Sequence, residues 1–378
     1  MQPIACQRHR FAIPGDVHYL NCAYMAPLAD TVVEAVERGA RRKQRPWEVR
    51  PEHFFSLSEH FRERAAAIIG TPGDNLAIVP SVSYGLAIAA RNLPFASGQQ
   101  IVTLADQFPS NVYPWRELAA GKGGEVVTVR REAGACWSEA VLDAIGPDTA
   151  IVALPHCHWA DGRKVDLEAV GRKAREHGAA LVLDLTQSLG AMPIDFAAVQ
   201  PDFAVAACYK WLFGPYGIGI LYADPKYLDG TPIENNWINR GGSEDFARLV
   251  DYRDDFQPGA RRFDMGEKSN PPLLEGASAA IDFLLEFGVE AIAETLGRET
   301  CSIAKEAGEL GLKSAGLETR ANHFLALEFP DGVPDGLTDR LAEKNVLVSL
   351  RGNSLRVTPH LYNTPEDRAA LIAALRPD

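Results

Sequence analysis

The strongest constraint on the fold is a series of seven short apolar segments between residues 75 and 223, most of them separated by longer amphipathic stretches. Near-continuous apolar strands are typical of a parallel sheet that helices cover on both faces. The predicted strands are 75–80, 100–105, 125–130, 149–155, 179–185, 202–208 and 217–223. The helices between them are predicted to begin near Tyr84, Asn111, Ser138 and Asp166. The pattern therefore predicts an α/β domain with a mostly parallel seven-stranded sheet.

The pattern changes after about residue 225. Residues 234–272 form a long polar stretch rich in Gly and Pro, and an ordered loop of that length is more often functional than a linker. A long helix is predicted from about Pro272. Strands at 323–330, 346–350 and 354–359 and a terminal helix capped by Thr364 follow it. This order predicts a smaller α+β domain at the C-terminus.

Composition excludes several classes of function. The chain has 38 basic and 50 acidic residues, a formal charge of −12, so a nucleic-acid partner is not expected. No apolar stretch reaches the roughly 18–20 residues that a membrane span needs, and the first residues lack the apolar core of a secretory signal. Six scattered cysteines without a CxxC pair indicate reduced thiols in the cytoplasm and no zinc framework. His156 and His158 alone do not indicate a metal site.

Two strand ends carry candidate chemistry. Lys210 follows an apolar strand and precedes a glycine-rich loop. Burying the charge of a lysine there is costly, but burial also lowers the pKa of the amine, which a nucleophilic lysine requires. Asp184 ends another apolar strand, at the edge where ligands bind in open α/β sheets. Each residue also has a purely structural interpretation. Lys210 would simply emerge at the end of its strand, and the carboxylate of Asp184 would cap the turn that follows.

The order of these segments resembles a known family. The sequences DLTQSLG (184–190) and DFAVAACYKWLFGPYGIG (202–219) resemble those of the pyridoxal-phosphate (PLP) enzymes of aminotransferase class V. That family contains cysteine desulfurases, kynureninases, isopenicillin N epimerase-like proteins and transaminases. The resemblance implies PLP-dependent transferase fold type I. It also implies an N-terminal segment (1–25) that packs on the small domain or a partner, a large PLP-binding domain (26–265) and a small domain (266–378).

The same resemblance implies roles for the residues around the cofactor. Lys210 would form a Schiff base with PLP, and Asp184 would pair with the protonated pyridine nitrogen, which keeps the ring an electron sink. Gln187 would lie near the phenolic oxygen. The phosphate would be held by Val82 and Ser83, at the start of a helix, and by Tyr209. Phe108 would stack on the cofactor ring.

The substrate and subunit contacts follow in the same way. Arg356 would bind the α-carboxylate of the substrate, since a guanidinium binds a carboxylate through two parallel hydrogen bonds. Trp159 would shape the substrate pocket. Trp237 and Asn270 would help bind the phosphate of the partner subunit in a homodimer with shared active sites. Glu267 stands in a segment where many relatives have a Gly-Thr-Pro run, and its negative charge would be unfavourable beside a phosphate.

The reaction stays open at this stage between several PLP chemistries. The first choice is an aminotransferase that acts on an amino acid. The alternative is a kynureninase-like or C–S lyase, which the aromatic residues Phe108, Trp159 and Tyr209 favour. An epimerase or a non-catalytic binding module is less favoured. A cysteine desulfurase is also less favoured, because the segment between Val346 and Arg356 holds no cysteine to act as the nucleophile. That reaction would need Cys157 or Cys208 to take over this role.

Overall fold

The computed structural model describes residues 3–132 and 135–376. The strands in these residues are β1 (His18–Tyr19), β2 (Leu76–Val79), β3 (Gln100–Leu104), β4 (Glu125–Val129), β5 (Thr149–Pro155), β6 (Ala180–Asp184), β7 (Phe203–Ala207), β8 (Gly219–Ala223), β9 (Leu325–Glu328), β10 (Val346–Leu347), β11 (Ser349–Arg351) and β12 (Ser354–Val357). The helices are α1 (Asp30–Arg42), α2 (His53–Ile69), α3 (Val82–Asn92), α4 (Tyr113–Lys122), α5 (Trp137–Ala144), α6 (Leu167–Glu176), α7 (Phe196–Val199), α8 (Pro271–Phe287), α9 (Val289–Gly308), α10 (Leu337–Glu343) and α11 (Pro365–Leu375).

The seven strands predicted between residues 75 and 223 form one sheet in the order β2-β8-β7-β6-β5-β3-β4. Strand β8 is antiparallel to both of its neighbours, and the other pairs are parallel. Strands β2, β3 and β5 to β8 are buried almost throughout, as expected for a sheet covered on both faces. The predicted α/β class and mostly parallel sheet are confirmed.

The parallel arrangement determines where functional residues meet. Strands β2, β5, β6 and β7 all end at the same edge of the sheet. The loops that follow these strands are therefore neighbours, although they are far apart in the sequence. This is the edge where open α/β sheets bind ligands.

The C-terminal elements form a second layer of structure. Strands β11, β12 and β9 make an antiparallel sheet, and its buried face packs with α9, α10 and α11. Helix α11 begins with a capping box in which Thr364 and Asp367 bond to each other's backbone. The N-terminal segment contacts these elements through the pairing of β1 with β10 and an ion pair of Arg8 with Asp367 at 3.0 Å. The domain boundaries 1–25, 26–265 and 266–378 stay predictions.

Helices α1 and α2 have no counterpart in the prediction. Both lie against α8, and the contact of α1 with α8 is close. A Cβ at Gly39 would lie only 2.5 Å from the backbone nitrogen of Pro272, so glycine is required where these helices approach. None of the helices in the described residues is both long and apolar enough to cross a membrane.

Candidate active site

A cavity of about 240 Å³ lies at the carboxyl edge of the large sheet. The loops after β2, β3, β5, β6 and β7 line it, which brings together residues from five separate parts of the chain. The sequence-predicted residues that line it are Val82, Ser83, Phe108, Trp159, Asp184, Gln187, Tyr209 and Lys210. Arg356, Trp237 and Asn270 do not belong to its lining.

Lys210 follows β7 and is buried, with 7 % of its surface exposed. Its Nζ lies 5.5 Å from the ring centroids of Phe108 and Tyr209, and no described residue accepts a hydrogen bond from it. Burial lowers the pKa of this amine to about 8; Arg356 also lowers it, while Asp184 opposes the shift. An amine with this pKa loses its proton readily near neutral pH and can act as a nucleophile or base.

Asp184 is the last residue of β6, and the backbone N–H of Thr186 donates a 3.0 Å hydrogen bond to its Oδ1. Burial raises the pKa of this carboxyl, and the contacts with Thr186 and Lys210 act in the opposite direction. A buried carboxylate of this kind is stabilised by a cationic partner. A protonated ring nitrogen in the cavity would supply that partner.

Helix α3 presents its N-terminus to the cavity. The helix begins at Val82, and its N-cap is Ser81, whose Oγ accepts a 3.2 Å hydrogen bond from the Tyr84 N–H. The Oγ atoms of Ser81 and Ser83 are 2.9 Å apart. The first amides of a helix lack intrahelical acceptors and bind anions. The predicted start at Tyr84 was therefore two residues late, and Ser81 was missed because two serines in PSVS are equally good caps.

Gln107 was also missed. It lines the cavity, its Oε1 accepts a 2.7 Å hydrogen bond from the Phe108 N–H, and its Nε2 is a buried donor with no partner among the described residues. A buried donor without a partner is costly, so a ligand acceptor is expected here. The sequence gives no signal for it except its position next to Phe108.

Gln187 is held from two sides. Its Nε2 donates to the Ala23 carbonyl at 3.2 Å, and its Oε1 accepts from Trp211 Nε1 at 2.9 Å. Its backbone carbonyl lies 2.6 Å from His323 Nε2. Trp211 directly follows Lys210, so this hydrogen bond connects the lysine loop to the loop after β6. The sequence analysis did not identify Trp211 as a site residue. Its position next to Lys210 was the one feature of the sequence that could have indicated it.

Aromatic side chains form the walls of the cavity. The rings of Phe108 and Trp159 meet edge to face at 5.6 Å, and Trp159 Nε1 donates to the Asp106 carbonyl at 2.7 Å. The rings of Tyr209 and Tyr216 are 4.5 Å apart. These aromatic side chains give the cavity a partly apolar wall.

Arg356 lies next to the cavity on β12 and is 2 % exposed. Its Nη1 donates to the Trp159 carbonyl at 3.1 Å and its Nη2 to Ser349 Oγ at 3.3 Å, while its Nε has no partner among the described residues. Burial lowers its pKa to about 10, with the nearby charge of Arg351 as a further cause. A buried guanidinium with only neutral acceptors is suited to receive a carboxylate.

Trp237 and Asn270 lie away from the cavity. Trp237 is 41 % exposed and contacts the rings of Phe54 and Phe246 at 6.1 and 5.3 Å. Asn270 caps α8 by accepting a 3.3 Å hydrogen bond from the Leu273 N–H. Their predicted contact with the phosphate of a partner subunit stays a prediction.

The two cysteines considered for sulfur chemistry are both buried. Cys157 lines the cavity, but its Sγ donates to the Gln187 carbonyl at 3.4 Å and burial raises the pKa of its thiol. Cys208 lies in the core under Gly214, and burial raises its pKa to about 12. Neither side chain supplies a ready thiolate.

The polar groups around the cavity fit PLP. Asp184 offers a negative charge for the ring nitrogen, α3 offers amides for the phosphate, Gln107 has an unused donor, and Lys210 has an unpaired amine. Together with the sheet order, this donor set defines a PLP-dependent enzyme of fold type I.

The family model for aminotransferase class-V matches residues 26–359, so the chain belongs to the aminotransferase class-V family and uses PLP. An uncharacterized aminotransferase, YcbU, of Bacillus subtilis (strain 168) is 28 % identical over 313 residues, which are 82 % of this chain and 80 % of that protein. A kynureninase of Deinococcus radiodurans is 27 % identical over 305 residues, 77 % of this chain and 71 % of its own length.

Solved structures show the same fold. A mutant of C-DES with glycine covalently linked to its PLP cofactor has a TM-score of 0.87 and 19 % identity, with 98 % of both chains covered. At that identity the likeness concerns the fold alone. The family establishes a PLP enzyme, and its members include more than one type of reaction.

Proposed function

We propose that the protein is an aminotransferase that moves the amino group of an α-amino acid to a 2-oxo acid. One observation carries this proposal: Lys210 is the one amine among the described residues that line the cavity, and its pKa is lowered to about 8. Amino transfer takes one proton from the substrate's α-carbon and delivers one to the carbon on the other side of the amino nitrogen. A single base in the cavity is sufficient for both steps.

The other residues hold the reactants for that base. When bound, PLP supplies an electron sink for the α-carbon. Asp184 keeps the ring nitrogen protonated, and the N-terminus of α3 with Ser81 and Ser83 binds the phosphate. Arg356 binds the α-carboxylate, and Lys210 accepts the α-proton and donates a proton to the carbon on the other side of the amino nitrogen.

A second candidate is a lyase that acts on an amino acid with an aromatic side chain. The observation that favours it is the edge-to-face pair of Phe108 and Trp159 in the cavity wall. The similarity to a kynureninase agrees with it. Desulfuration through a protein thiol has less support, because burial keeps Cys157 protonated.

We also propose a homodimer in the cytoplasm. The exposed aromatic side chain of Trp237, next to Phe54 and Phe246, supports an interface on that side of the molecule. Light scattering of the purified protein measures the assembly, and a monomer at micromolar concentration contradicts it.

Product analysis separates the two reactions. The PLP-loaded protein is incubated with a panel of L-amino acids, including kynurenine and cysteine sulfinate, together with an added 2-oxo acid. An aminotransferase gives a new 2-oxo acid and a new amino acid in equal amounts. A lyase releases the side chain, such as anthranilate or a sulfur species, and does not aminate the added acceptor. The second result contradicts the aminotransferase proposal.

Replacing Arg356 with alanine is expected to raise KM for the amino acid by roughly ten- to hundredfold. The reason is that one hydrogen bond to a charged group contributes about 1.5–3 kcal/mol. The affinity for PLP is expected to change little, because Arg356 lies outside the cavity lining. Steady-state kinetics and PLP titration measure the two effects.

Arg356→Lys is the matched variant. It keeps the positive charge but loses the two-pronged geometry, so an intermediate KM is expected. An unchanged KM in Arg356→Ala would place the carboxylate site elsewhere.

A further inference from the structure

The hairpin of β11 and β12 brings two arginines to one face. Arg356 pairs with Ser349, and Arg351 pairs with Ser354. Directly paired residues share a face of an antiparallel sheet, and so do residues two apart. Arg351 and Arg356 are therefore on the same side, while Leu350 and Leu355 are on the other.

Both arginines contact the same cavity residue. Arg356 Nη1 donates to the Trp159 carbonyl at 3.1 Å, and the guanidinium of Arg351 lies 5.7 Å from the centre of the Trp159 ring. Trp159 itself lines the cavity. The arginine face of the hairpin is thus in contact with the wall of the site.

The two positive charges have no counter-ion among the described residues. The Nη1 of Arg351 donates to its neighbouring Leu350 carbonyl at 2.8 Å, and neither arginine forms an ion pair there. Asp161 follows Trp159 closely in the chain, but it is paired with Arg131 at 2.6 Å. The charge of Arg351 contributes to the lowered pKa of Arg356, so an anion near both guanidinium groups would stabilise the site. Such an anion is expected to come from the ligand.

We propose that Arg351 binds a carboxylate in the side chain of the substrate, so that the substrate is a dicarboxylic amino acid. This rests on the proposed aminotransferase function and adds its substrate class. Arg356 takes the α-carboxylate and Arg351 the distal one, because the hairpin presents both guanidinium groups to the same cavity wall. The competing explanation is structural: Arg351 holds the Trp159 ring by a cation–π contact.

Binding of glutarate and pentanoate to the PLP-loaded protein tests this proposal without turnover. The two acids have the same carbon chain and differ in the second carboxylate. Calorimetry is expected to give a dissociation constant at least tenfold lower for glutarate. Arg351→Gln is expected to reduce this ratio at least tenfold. Arg172→Gln, which removes an exposed arginine on α6, is the matched control and is expected to keep the ratio.

Two results would overturn the proposal. One is equal binding of glutarate and pentanoate by the unaltered protein. The other is an Arg351→Gln variant that binds both acids more weakly by the same factor, which is the result of a purely structural contact with Trp159. Turnover of L-glutamate and L-norvaline is measured separately. If no amino acid of the panel described above is transaminated, the aminotransferase proposal fails, while the glutarate ratio still decides the role of Arg351.

Discussion

Replacing Lys210 with alanine is expected to lower turnover by about 10⁴-fold or more. The variant loses the one amine in the described cavity lining, and with it both the nucleophile for the cofactor and the base for the α-proton. The visible absorption of the purified protein is expected to change as well, because the cofactor is then held by non-covalent contacts alone. Product assays and absorption spectra measure the two effects.

Two controls separate chemistry from folding. Lys210→Arg keeps a positive charge that does not dissociate near neutral pH, so it is expected to be as inactive as the alanine variant. Lys122→Ala removes an exposed lysine at the end of α4 and is expected to retain full activity. If Lys210→Ala keeps more than about a hundredth of the activity, Lys210 is not the base, and the aminotransferase proposal loses its main support.

The strand pattern was sufficient to predict the large sheet and to place Asp184 and Lys210 at strand ends, while their shared site around one cofactor was implied by the family resemblance. Each strand is recognised from its own residues, and parallel strands end at one edge by geometry. The distance in sequence between these two residues therefore did not matter. The C-terminal strands and the cap of α11 could be predicted for the same local reason.

Features that depend on contact between distant segments could not be predicted. The hydrogen bond between Arg356 and the Trp159 carbonyl joins residues 197 apart, and the hydrogen bond between Trp211 and Gln187 needs two loops to be in place at once. The sequence SLRGNSLR does suggest a hairpin, but it does not indicate that Arg351 reaches Trp159. The same holds for α1 and α2, which pack on α8 from the other end of the chain.

A buried charge cluster shows this long-range type of contact most clearly. The side chain of Asp264 is fully buried, and it contacts Arg62 Nη2 at 2.7 Å and Lys268 Nζ at 2.8 Å. Its Oδ1 also accepts a 2.7 Å hydrogen bond from the Ile78 N–H on the edge strand β2. Arg62 donates in turn to the Leu76 carbonyl. One carboxylate therefore connects α2, the sheet edge and the segment that leads into α8.

Replacing Asp264 with alanine is expected to destabilise the fold by about 3–5 kcal/mol, since it removes the anion of the buried Lys268 and leaves Arg62 with only its 3.3 Å contact to Glu59. Asp264→Asn removes the charge with little change of shape, so it is also expected to be destabilising. Calorimetric melting and denaturant unfolding measure the loss. Asp255→Ala is the matched control: Asp255 pairs with Arg253 at the same 2.7 Å, but on the surface, and no measurable change is expected. Equal stability of the Asp264 and Asp255 variants would contradict the prediction.

The pH dependence of this loss follows from the charges around Asp264. Burial alone would raise its pKa, but Arg62 and Lys268 outweigh that effect and hold the pKa of the folded protein below the ordinary value. The carboxylate therefore stabilises the fold fully above the unfolded pKa of about 4, and this contribution disappears as the pH falls through the lower folded value. The stability difference between the unaltered protein and Asp264→Ala is expected to be constant from pH 7 to about pH 5 and to shrink below about pH 4. A difference that instead grew with acid would mean that Asp264 is protonated in the folded state, and that the two cations are neutralised by another group.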